Sequence, residues 1–195
     1  MQNTEKSAFQ RHIAAYYRIE RHEISMKKIL FVCHGNICRS PMAEYVMKDM
    51  VRKAGYSVAG IDGTTKDTAN FVIASAATST EETGNGVYPP AKRKLAENGI
   101  GVFGNDLGVS MHRAHRMTKK DYEYYDKIIC MDYNNIRNLN RIIGGDPDGK
   151  VSLLLDYTER AGEEVADPWY TGDFDATWHD VTEGCSALLD ILSVE

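Results

Sequence analysis

Cys33 and Arg39 enclose the residues His34, Gly35, Asn36, Ile37 and Cys38, and Ser40 and Pro41 follow directly. A thiol and an arginine at this spacing can hold and attack a phosphoryl group. A loop of that length can curl so that successive backbone N–H groups point inward, and the unsatisfied N–H groups that open the next helix add partial positive charge. Gly35 permits close backbone approach or positive φ, and Asn36 tolerates the left-handed conformation. Arg39 offers a planar fork matched to two phosphate oxygens. The same field should lower the Cys33 thiol from its free value of about 8.5 and make it a thiolate nucleophile.

Such a loop needs a rigid base. The run "KKILFVC" before it is short and apolar and reads as a buried parallel strand, while "PMAEYVMKDMVRKAG" after it reads as an amphipathic helix with Pro41 in its first turn and Gly55 at its end. Cys33 then lies at the C-terminal end of a strand, where open α/β sheets place their ligands. The competing reading makes Cys33 a small buried hydrophobe and Arg39 a solvated helix residue. It is weakened by its context, since the apolar strand, the Gly and Asn within the loop, Ser40 and Pro41 all suit an anion cradle.

The rest of the chain repeats the pattern of strand and helix. "NFVIASAA", "YDKIICMD" and "GKVSLLLDY" read as further strands, with helices at "AKRKLAENG" and "YNNIRNLNRII" and a long amphipathic helix at the C-terminus. Alternation of this kind predicts a three-layer α/β domain with a four-stranded parallel sheet and right-handed crossovers. It should occupy residues 26–195. Residues 1–25 are expected to form an N-terminal extension, either a loose arm or a weak amphipathic helix carrying Phe9, Ile13, Tyr16 and Tyr17.

Composition narrows the class. With 195 residues, 43% of them hydrophobic, the chain can bury a core without disulfides, and Cys33, Cys38, Cys130 and Cys185 are too scattered for a disulfide scaffold. Reduced thiols in a cytoplasmic protein are expected. No apolar run approaches the roughly 18 residues that suggest a membrane span. A net charge of -5 weighs against nucleic-acid binding, which needs a basic surface. No cluster has metal-ligand spacing, and neither a metal nor another cofactor is expected.

The segment "VCHGNICRSPMAE" is similar to the signature loop of the low-molecular-weight protein tyrosine phosphatases. The segments "SAATST", "GVSMHRAHRMT", "DYEYYDKIICMDYNN" and "DPWY" agree in order, so that the resemblance covers about residues 26–194. It implies the phosphotyrosine phosphatase I-like fold and hydrolysis of phosphotyrosine in a protein or peptide, without a metal, by an enzyme expected to be a monomer. Asp167 matches the family's general acid, which serves next as general base on water. A cysteinyl-phosphate on Cys33 is the implied intermediate. The resemblance also puts Asn36, Ser40, Ser75 and His112 in a hydrogen-bond network that fixes the loop, with Ser40 assisting departure of the thiolate. Trp169 and Tyr170, beside Asp167, would line a slot able to sandwich an aromatic ring.

Three positions depart from the family pattern. His34 follows the nucleophile where an apolar residue is usual, Glu81 falls where some relatives have an aromatic wall, and His115 stands where arginine is common. A carboxylate at Glu81 should disfavour acidic peptides. Cys38 could trap an oxidised Cys33 as a disulfide. Three rival functions share features of the loop. An arsenate reductase of this fold would need a cysteine pair that residues 80–125 lack, and a protein arginine phosphatase would have threonine where Ile37 stands. A non-catalytic phosphopeptide-binding module would have no use for Asp167.

Overall fold

A computed structural model describes residues 26–194, so the expected extension over 1–25 lies outside the described residues. The chain runs β1 (Lys27–Cys33), α1 (Arg39–Lys53), β2 (Phe71–Ala77), α2 (Pro89–Glu97), α3 (Lys119–Tyr124), β3 (Lys127–Cys130), α4 (Tyr133–Ile143), β4 (Val151–Leu153), α5 (Pro168–Thr171) and α6 (Phe174–Leu192). The strands form one parallel sheet in the order β2-β1-β3-β4.

Side-chain alternation along β1 explains the layers. Ile29, Phe31 and Cys33 point to one face and pack with Met42, Val46 and Met47 of α1, Leu95 of α2, and Val181, Cys185 and Leu188 of α6. Leu30 and Val32 point to the other, against Met117, Tyr122 of α3 and Leu139 of α4. Both faces are therefore covered. That is why the run Ile29–Cys33 is apolar without a break and why the expected three-layer α/β architecture follows.

The approach of α6 is unusually close. A Cβ on Gly184 would lie 2.5 Å from Leu154 Cγ and 3.1 Å from the Leu154 carbonyl oxygen, so glycine is required where the helix crosses that turn.

The fourth strand is shorter than its apolar run predicts. Only Val151–Leu153 pairs with β3, and Leu154–Tyr157 turns into a 3-10 helix. The Asp156 carboxylate accepts the Leu153 N–H at 2.9 Å and caps that turn. Leu154 and Leu155 stay buried in the turn, so periodicity alone could not distinguish it from strand.

Candidate active site

Cys33 ends β1 between Ala77 of β2 and the end of β3, at the C-terminal edge of the sheet. The chain then curls before α1 begins at Arg39. Its carbonyls bond to the surrounding shell: Cys33 O accepts from Thr78 N at 2.9 Å, His34 O from Ser79 N at 3.0 Å, and Ile37 O from Tyr88 N at 2.8 Å. Cys38 O accepts from Met42 N in the first turn of the helix. In a planar trans peptide the N–H points opposite to its carbonyl, so the amides after these residues face the loop's interior. Asn36, at φ 56°, makes the turn possible, whereas Gly35 serves by close approach, since a Cβ there would meet Glu82 Cγ at 3.1 Å.

A buried polar network lies behind the loop. Asn36 Nδ2 donates to Ser40 Oγ at 3.0 Å and to Ser75 Oγ at 2.8 Å, and Ser75 Oγ donates to the Glu44 carboxylate at 2.5 Å. His112 Nε2 donates to the Asn36 carbonyl at 2.8 Å. Two donors converge on the sulfur: Ser40 Oγ at 3.1 Å and Asn36 N at 3.3 Å. The four residues expected to brace the loop are thus brought together around Asn36. Glu44 extends the network to Lys48 at 2.5 Å, with both residues buried.

Arg39 is buried and held by two carboxylates. Nη1 donates to Asp132 Oδ2 at 2.8 Å and Nη2 lies 2.5 Å from Asp167 Oδ2. Burial works against its charge, but Cys33, Asp167 and Asp132 outweigh burial and raise it above the ordinary arginine value. Asp132 was not singled out from the sequence. It caps α4, where its Oδ1 accepts Asn135 N at 2.6 Å, and spends its other oxygen on Arg39. An Asp directly after a buried strand and before a helix marks that position.

Asp167 caps the short helix α5, its Oδ1 accepting Trp169 N at 3.0 Å. The segment carrying it is anchored on both sides. Val165 N donates to Met131 O at 2.9 Å, and Ala166 N donates to Asp180 Oδ2 on α6 at 2.9 Å.

A cavity of about 270 Å³ opens over the sulfur, bounded by Cys33, the loop, Arg39, Asp167, Trp169 and Tyr170, with Glu81 and Glu82 at its rim. Trp169 leans on Tyr88, the ring centroids 5.8 Å apart, and Tyr88 stacks on Phe174. Tyr170 is largely exposed. His34 meets the Glu81 carboxylate at 3.0 Å through Nε2, so two departures from the family pattern form one pair at the rim. Cys38 is buried, and burial first, then Cys33 and Asp167, pushes its thiol up to about 12.

Among the described residues one group of three possible metal donors occurs, His179, Asp180 and Glu183, none of which lines this cavity. Its carboxylates already meet Arg160, at 2.6 and 3.0 Å. Among those residues, too, no helix is long and apolar enough to cross a membrane. The cavity's buried cation, inward amides and nearby carboxyl suit a tetrahedral anion that is to be attacked by sulfur.

Comparison with known proteins gives the family. The protein-tyrosine-phosphatase YfkJ of Bacillus subtilis, of low molecular weight, is 33% identical over 171 residues, covering 87% of this chain and 98% of that protein. Its crystal structure superposes with a TM-score of 0.72 at 32% identity, covering 89% and 98% of the two chains. The low molecular weight phosphotyrosine protein phosphatase of Mus musculus is 36% identical over 173 residues, covering 86% of this chain and 97% of the relative. A family model described as low molecular weight phosphotyrosine protein phosphatase matches residues 28–195, and the chain belongs to that family.

Proposed function

We propose that this protein is a protein tyrosine phosphatase that works through a cysteinyl-phosphate on Cys33, with Asp167 as general acid and then general base. The observation that carries the reading is the convergence of Cys33, Arg39 and Asp167 on one cavity. In the first step the sulfur attacks phosphorus, the S–P bond forms, and the bond to the phenolic oxygen breaks. Arg39 and the inward amides take the equatorial oxygens, and Asp167 gives its proton to the leaving oxygen. In the second, Asp167 takes a proton from water, the water oxygen bonds to phosphorus, and the thiolate leaves. Ser40, 3.1 Å from the sulfur, stabilises it as it departs.

Trp169, supported by Tyr88, and Tyr170 favour an aromatic leaving group, and the names of the relatives agree with that substrate class. Ile37, one of the residues bounding the cavity, adds an apolar wall in place of threonine. A nucleophilic thiol of this kind works in a reducing compartment, and we place the enzyme in the cytoplasm as a monomer. Its partner is a tyrosine-phosphorylated protein or peptide.

The test is hydrolysis of a phosphotyrosine peptide at mildly acidic pH without added metal, wild type against Cys33→Ser. Turnover by wild type and none by the variant is the expected result. A folded wild type that releases no phosphate overturns the proposal. Preference for a phosphoarginine peptide would move the substrate class instead.

A further inference from the structure

Asn36 holds a backbone conformation that residues other than glycine rarely adopt, and His112 clamps it there through Nε2, 2.8 Å from the Asn36 carbonyl oxygen. A carbonyl only accepts, so Nε2 must carry a proton. Two states of the ring satisfy this: the neutral imidazole with a bare Nδ1, and the imidazolium with both nitrogens protonated. Nδ1 faces Tyr45 Oη at 3.2 Å, and the same hydroxyl lies 3.3 Å from the Gly108 carbonyl oxygen. Its hydrogen can therefore turn to Nδ1 when the ring is neutral. When the ring is charged, Nδ1–H donates to Oη and the hydroxyl hydrogen turns to Gly108 O.

We infer that Tyr45 is a positioning residue for the nucleophile's loop, its hydroxyl reversing between donor and acceptor so that His112 keeps Nε2–H on the Asn36 carbonyl in either charge state. The inference rests on reading Cys33 as the nucleophile. Asn36 N and Ser40 Oγ are the two donors to the sulfur, and Ser40 Oγ is itself held by the Asn36 side chain, so slack at Asn36 reaches both.

The groups that face His112 are Glu44, Tyr45 and Lys48 from α1, the Asn36 carbonyl from the loop, and His115 from the segment that follows. Burial lowers its basicity, the Asn36 carbonyl and Glu44 oppose that, and His115 and Lys48 reinforce it, leaving the ring below the ordinary histidine value. The neutral form is then the working state near neutral pH. A neutral ring chooses between two tautomers according to its partners: the Asn36 carbonyl favours Nε2–H, and donation from Tyr45 to the bare Nδ1 reinforces that choice.

Tyr45→Phe keeps the buried ring and its place beneath the Lys48 ammonium, 5.0 Å above it, so the fold should stand. The experiment is long-range ¹H–¹⁵N NMR of the histidine rings, with His112 assigned by the loss of its signals in His112→Gln. It is paired with the rate of Cys33 alkylation by iodoacetamide at mildly acidic pH. Wild type should show the Nε2–H tautomer. Tyr45→Phe should show a measurable share of the Nδ1–H form, a lower ring titration midpoint because the charged ring loses its acceptor, and alkylation slower by about three- to tenfold, the scale of one hydrogen bond. An Nδ1–H tautomer in wild type overturns the inference, as does a Tyr45→Phe protein with wild-type tautomer or wild-type alkylation. None of these readouts uses a phosphorylated substrate, so a lack of turnover would count against the phosphatase reading alone.

Discussion

Arg39 Nη2 and Asp167 Oδ2 stand 2.5 Å apart in the lining of the cavity, so the cation proposed to bind the phosphoryl oxygens is also the partner of the proposed acid. A phosphoryl group that takes Nη2 must displace the carboxylate from it. Asp167 is then released from its cationic partner and stands beside the bound group, where it can meet the leaving oxygen. Asp167→Asn should lower kcat on a phosphotyrosine peptide by about 10²- to 10³-fold, the range for loss of a general acid. The loss should be smaller with an aryl phosphate whose phenolate leaves without a proton. Steady-state kinetics on the two substrates checks this, and an equal loss on both would remove Asp167 from the acid's role.

Asp132 separates positioning from stability because its two oxygens do different work. Asp132→Asn keeps an oxygen for the N-cap of α4 but removes the charge that holds Arg39. Inhibition by inorganic phosphate should weaken by about ten- to a hundredfold, in line with roughly 1.5–3 kcal/mol for a charged hydrogen bond, with little change in the urea midpoint. Asp132→Ala should show the same weakening and lose about 0.5–2 kcal/mol of stability with its cap. Phosphate inhibition unchanged in both variants would mean that Arg39 is oriented by Asp167 alone.

The loop from Cys33 to Ser40 was legible in the sequence because its chemistry is local, with strand, turn residues, arginine and helix start adjacent in the chain. Asp167 was legible only through the family's Asp-Pro-aromatic motif, since nothing local marks a carboxylate that the fold brings to an arginine far away in sequence. Asp132, Glu44 and Tyr45 escaped for the same reason. Each belongs to an ordinary strand end or helix, and its role appears only when β3 lies beside β1 and α1 packs beneath the loop. The short β4 escaped because three successive leucines are equally buried in a strand or a tight turn.

Gly184 sets how closely α6 can approach. Alanine is the better helix former by about 1 kcal/mol, yet its Cβ would stand 2.5 Å from Leu154 Cγ and 3.1 Å from backbone oxygen. Overpacking of this kind costs about 1–3 kcal/mol, so Gly184→Ala should be less stable on balance. Urea denaturation decides it. A midpoint at or above wild type would show that the Leu154 turn yields freely.

The four cysteines should separate by reactivity. Burial pushes Cys38 up to about 12 and raises Cys130 and Cys185 as well, so each remains a protonated thiol through neutral pH and loses that protection only as pH climbs toward its raised value. A limiting dose of iodoacetamide at neutral pH should therefore label Cys33 alone by peptide mass spectrometry. Equal labelling of Cys38 would contradict the raised value of its thiol. Peroxide should convert the Cys33 thiolate to the sulfenic acid, which condenses with the Cys38 thiol to a disulfide and water. Sulfinic acid at Cys33 with no link to Cys38 would rule that protection out.

His34 and Glu81 place a polar pair at the rim of the cavity, and Glu82 stands beside them. Glu81 is 72% exposed, so its field acts through water and on the charges that flank the phosphotyrosine. Peptides with glutamate beside the phosphotyrosine should show a higher KM than peptides with lysine there. Glu81→Gln should narrow that difference by about two- to fivefold, matching roughly 0.2–1 kcal/mol for an exposed charge pair. His34→Leu should act in the opposite direction, because it leaves the Glu81 carboxylate without its partner. Added salt should compress every one of these differences, whereas a preference that survives high salt would come from shape at the rim and would remove Glu81's charge from substrate selection.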